Sequence, residues 1–88
     1  MTALSVAIED RLRRALDPQA LEVVDDSHLH AGHSGAREGS HYTVRVTSER
    51  LRGLTRVARH RLIYDALSDL IAHGIHALAI EARAPGES

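Results

Sequence analysis

The chain carries seven histidines and no cysteine in 88 residues, so imidazole is the one soft metal ligand it offers. His28, His30 and His33 lie in a stretch that also holds Gly32, Gly35 and Gly39, where a permissive backbone can swing an imidazole towards a metal brought by another molecule. Their spacing is not that of a self-contained tetrahedral zinc site, and no helix orients them. The plain alternative is three polar, solvated loop side chains. His76 sits differently. It opens the run His76-Ala77-Leu78-Ala79-Ile80-Glu81-Ala82, whose two-residue period puts His76, Leu78, Ile80 and Ala82 on one face. Spacing alone therefore predicts a ring at the mouth of the core, satisfied there by a hydrogen bond. His41 and His73 read as surface residues.

A second constellation is basic. Arg50, Arg52, Arg56, Arg59, His60 and Arg61 crowd residues 50–61, which contain no acid, in a chain of net charge −1 that has no lysine. Clustered cations on one end of an otherwise acidic domain create a local field that attracts phosphate. The competing reading is ion pairing with Asp65, Asp69 or an acidic partner surface.

Catalysis finds little support. The candidate nucleophiles are Ser27, Ser34 and Ser40 beside Asp25 and Asp26, and there is no nucleophile elbow, phosphate loop or metalloprotease spacing. The chain is expected not to be an enzyme. No apolar run approaches the roughly 18 residues of a membrane span, and Glu9 and Asp10 spoil a signal-peptide profile, so a soluble cytoplasmic protein is expected.

These side chains need a scaffold, and the length allows one domain over residues 1–88. Without Phe or Trp its core must be aliphatic. Leu4, Ile8, Leu12 and Leu16 recur every fourth position, which predicts an amphipathic helix from Thr2 to Leu16, ended by Asp17-Pro18. Leu21 to Asp25 reads as a short strand. His41-Tyr42-Thr43-Val44-Arg45-Val46-Thr47 alternates cleanly, with Tyr42, Val44 and Val46 on one face. Between the two strands runs a long loop from Asp26 to Gly39. A long core-facing helix is expected from Leu54 to Ile71, stopped near His73 by Gly74, before the final strand. The order α-β-β-α-β implies an α+β sandwich with one mixed three-stranded sheet, the first two strands antiparallel and the third parallel to the second.

The runs Leu21-Glu22-Val23-Val24-Asp25-Asp26-Ser27, Arg59-His60-Arg61-Leu62-Ile63-Tyr64 and Ile75-His76-Ala77-Leu78-Ala79-Ile80, with Val46-Thr47-Ser48-Glu49-Arg50 and Gly53, resemble the signature blocks of the BolA family, in family order. The resemblance covers most of the chain and implies a fold similar to class II KH domains. It implies an adaptor that partners a monothiol glutaredoxin around a shared [2Fe–2S] cluster, the partner and its glutathione supplying the thiolates. His76 resembles the family's C-terminal cluster ligand, and His30 its loop ligand, with His33 as the alternative. It also implies a second activity, DNA binding in stress and morphology control, through the helix-turn-helix-like segment bearing Arg50, Arg52, Arg56, Arg59, His60 and Arg61. Gly53 has no companion glycine three positions away, so the GXXG loop of RNA-binding KH domains is absent.

Overall fold

The computed structural model describes residues 3–26 and 40–87. The loop histidines His28, His30 and His33 therefore lie outside the described residues. Helix α1, Ala3–Leu16, buries Ile8, Leu12 and Leu16, three of the four apolar positions its period predicts. Its end matches expectation: Asp17 adopts φ +44°, a left-handed conformation that Asp tolerates, and its N–H donates to the Arg13 carbonyl.

The sheet has the order β1-β2-β3, built from Ala20–Asp25, Ser40–Thr47 and Ile75–Arg83. β1 and β2 are antiparallel, with Val23 opposite Val44, and β3 runs parallel to β2, with Ile80 opposite Val44. Tyr42, Val44 and Val46 point inward and are at most 3% exposed, packed with Ile8, Leu12, Leu16, Leu51, Ile63 and Leu67. The helices thus cover one face of the sheet. The other face displays Glu22, Arg45 and Glu81, with Arg45 bonded to both carboxylates.

The expected long helix from Leu54 to Ile71 is two helices. Thr55 caps α2, Arg56–Ala66, by accepting from the Ala58 N–H, and α3 spans Ser68–His73. They meet at Leu67, whose φ of −107° and ψ of 10° lie outside the helical range, and whose N–H is shared among carbonyls of the preceding turn. The break leaves Leu67 fully buried and sets Asp69 of α3 against Arg11 of α1, at 2.7 Å. An unbroken apolar period hides such a bend, because the residues on either side of it stay core-facing.

Ser48 ties the sheet to both flanking elements. Fully buried, its hydroxyl donates to the Leu16 carbonyl at the end of α1 and accepts from the Arg50 N–H in the 3-10 turn Glu49–Leu51. Ser48→Ala leaves a buried carbonyl and a turn N–H without that partner, and is expected to cost about 1–3 kcal/mol of stability by denaturant titration.

Candidate functional site

His76 does not lie at the mouth of the core. The β2–β3 register pairs Ser40 with Ile75 but His41 with Ala77, so His76 is an extra residue in β3. Such an irregularity re-aims side chains. Ile75 takes the inward position, 6% exposed, and His76 is exposed while Leu78, Ile80 and Ala82 resume the core-facing alternation. The expected shared face of His76 and Leu78 is thereby corrected. The pattern Gly74-Ile75-His76 contained a cue: Ile75 and His76 cannot both face inward in a regular strand, and the apolar side chain gains more from burial.

Turned outward, the His76 ring meets that of His41, with ring centroids 5.2 Å apart and planes tilted by 52°. Tyr42 and Val44 face the core, so His41 belongs to the open face with Thr43 and Arg45. Reading it as a plain surface residue missed this neighbour. Next to it, the Thr43 hydroxyl donates to the Asp26 carboxylate, and the Asp26 N–H donates to the His41 carbonyl. His41, His76 and Asp26 thus gather at the end of the sheet where the 27–39 segment enters and leaves. His73 stays apart, its Nδ1 against the Asp69 carbonyl at 2.7 Å.

The basic constellation divides in two. Arg59 is 14% exposed at its side chain and grips the C-terminal segment: its guanidinium donates to both oxygens of Glu87, at 2.6 and 2.9 Å, and to the Leu54 and Ala82 carbonyls. Arg52 donates to Glu49 and to the Pro85 carbonyl, and Arg50 to the Ala15 carbonyl. These three expected phosphate ligands are engaged with the protein itself, and their acidic partners, Glu49 and Glu87, lie just outside residues 50–61, the window that contains no acid. Nor does Asp69 serve this stretch, being taken by Arg11. Arg56, His60 and Arg61 remain. Their side chains make no ion pair or hydrogen bond to other described residues, and both arginines are exposed on α2. A cation in the first helical turn opposes the helix dipole, so Arg56 is not there for helix stability.

The clamp on the tail is electrostatic. The Arg59 guanidinium, the Ala84 N–H and the charges of Arg59 and Arg52 pull the Glu87 carboxyl from an ordinary 4.5 down to about 2. A group with a depressed folded pKa contributes stability that is fully present above 4.5 and lost as pH falls towards 2. Glu87→Gln is therefore expected to flatten the acid limb of the unfolding curve in that window, read by circular dichroism against pH.

A mixed sheet of three strands covered on one face by helices, in α-β-β-α-α-β order, is the architecture of the BolA fold. Residues 12–87 match the BolA-like protein family, and the chain belongs to that family. It is 46% identical over 88 residues to an uncharacterized protein in the cobS 5′ region of Sinorhizobium sp, covering 97% of this chain and 95% of that one. It is 42% identical to BolA-like protein 1 of Bos taurus, covering 96% of this chain but only 61% of the longer bovine protein. With the DNA-binding transcriptional regulator BolA of Vibrio cholerae it shares 45% identity over 73 residues, covering 83% of this chain and 67% of that protein. In structure it is similar to the BolA domain of SufE1 from Arabidopsis thaliana, with a TM-score of 0.88, 43% identity and coverage of 100% and 99%. Among the described residues no helix is long and apolar enough to cross a membrane.

Proposed function

We propose that this chain is a cytoplasmic adaptor that binds a monothiol glutaredoxin and lends His76 to a [2Fe–2S] cluster shared between the two proteins. The observation that carries the reading is the outward turn of His76, which presents an imidazole at the surface instead of spending it on the core. The donor set fits a shared cluster and not a private one. Iron–sulfur clusters are held chiefly by thiolates, imidazole replaces thiolate on one iron in Rieske centres, and this chain has no cysteine. The partner's cysteine and its glutathione would hold one side, with His76 and the loop residue His30, or alternatively His33, on the other. When bound, the cluster supplies electron-transfer and cluster-transfer chemistry. The chain's own residues bind and orient, and no turnover is part of the reading.

His76 can serve this purpose because its ring projects beyond the helix-covered core, and because its neighbours Ile75 and Ala77 are both paired with β2. A ligand flanked by paired strand residues has a defined position. Adding the chain to a cluster-loaded monothiol glutaredoxin tests the proposal: the visible absorption and circular dichroism of the cluster should change, and an unaltered spectrum contradicts it.

A second reading, DNA binding in transcriptional control, is favoured by the open cations Arg56 and Arg61, with His60 beside them on α2, and by the similarity to the regulator from Vibrio cholerae. It uses a different part of the surface and is compatible with the first.

A further inference from the structure

We propose that His41 and His76 form a two-imidazole chelate for a single borderline divalent transition ion, such as Zn²⁺, bound by the chain alone. The proposal goes beyond the glutaredoxin reading and does not depend on it. Its basis is the juxtaposition of the two rings on adjacent strands, with centroids 5.2 Å apart and planes tilted by 52°. Imidazole nitrogens bind zinc at about 2.0–2.1 Å, which puts each ring centre roughly 3 Å from the ion, and a tetrahedral angle then separates the two centres by about 5 Å. The observed spacing is therefore that of two rings on one tetrahedral ion, whereas a pair stacked face to face would lie with parallel planes.

The backbone creates this pair. The extra residue in β3 moves His76 to the open face, and the register that follows sets Ala77 opposite His41, so no large side chain stands between the strands there. Ala77 and Ala79 also line a shallow cleft that opens beside His41. One nitrogen of each ring suffices for the ion, leaving the other for a hydrogen bond that fixes the ring. Asp26 lines the cleft too, but its carboxylate accepts from Thr43, and no third ligand stands within reach among the described residues. The remaining coordination positions belong to water, as in sites that keep open positions. Such a site follows the Irving–Williams order, favouring Cu²⁺, Zn²⁺ and Ni²⁺ over Fe²⁺.

The test is calorimetric titration of ZnCl₂ into the full chain carrying His28→Ala, His30→Ala and His33→Ala, so that loop imidazoles do not contribute. One Zn²⁺ per chain is expected. Adding His41→Gln, or separately His76→Gln, should weaken binding by about a hundredfold, because the second ligand acts through its high effective concentration. In parallel, ring-nitrogen NMR of the wild-type chain should show the His41 and His76 signals moving together on zinc addition, a readout that needs no substitution. Loss of the zinc isotherm in the loop variant, unchanged affinity after His41→Gln, or a shift in only one of the two rings would overturn the proposal.

Discussion

Replacing His76 by Ala is expected to abolish the change that the wild-type chain induces in a glutaredoxin-bound cluster, while leaving the fold intact. Both halves follow from the irregular β2–β3 register. The ring is exposed, so its loss opens no cavity, and a surface substitution of this kind costs within about 0.5 kcal/mol. A histidine facing inward beside Leu78 would have behaved differently, since truncating it would destabilise the domain and confuse lost folding with lost ligation. Far-UV circular dichroism and a denaturant midpoint measured beside the cluster spectrum separate these cases. His30→Ala should have a smaller effect, because His33, water or glutathione can take the place of a loop ligand. A full cluster response from the His76→Ala protein would remove His76 from the ligand set.

The second large effect concerns the open cations. Arg56→Glu combined with Arg61→Glu should eliminate nucleic-acid binding without disturbing the domain, because neither side chain is bonded to another described residue. For the wild-type chain, log affinity against log salt should have a slope of about −0.9 per phosphate neutralised, hence roughly −2 for Arg56 and Arg61. The five arginines of residues 50–61 would have suggested a steeper dependence, but Arg50, Arg52 and Arg59 are engaged with the protein itself. Arg59→Glu is a poor probe of DNA contact: it breaks the grip on Glu87 and sets two carboxylates against each other. Salt-independent binding, or binding that survives the Arg56 and Arg61 reversals, would contradict the assignment. Nanomolar affinity for a single site at physiological salt would favour the regulator as the chief activity.

Much of this architecture was legible in the sequence because its signals are local. The alternation in β2 reports burial of one sheet face directly, Asp17-Pro18 marks the end of α1, and the order of elements restricts the sheet to one mixed topology. Features that depend on partners distant in the chain were not legible. Arg59 meets Glu87 28 positions away, Arg11 meets Asp69 across 58, and Arg45 bridges Glu22 and Glu81 on two different strands. No charge pattern within a short window encodes such pairs, which is why the arginine stretch looked freer than it is. The bend at Leu67 was invisible for the reason already given, since the apolar period runs unbroken through it. At the candidate site the type of residue was legible and its direction was not. One extra residue in β3 reverses the face of His76, and a strict two-residue period cannot register it.

The account turns on whether the His76 imidazole binds iron, and pulsed electron paramagnetic resonance of the reduced heterodimer addresses that directly. The chain would be labelled with ¹⁵N at histidine and mixed with an unlabelled, cluster-loaded monothiol glutaredoxin. The predicted result is a ¹⁵N coupling of the size expected for an iron-bound imidazole, present with the wild-type chain and with His41→Gln, and lost or reduced with His76→Ala. A reduced cluster with no ¹⁵N coupling in the wild-type complex, or a coupling unchanged by His76→Ala, would contradict the account.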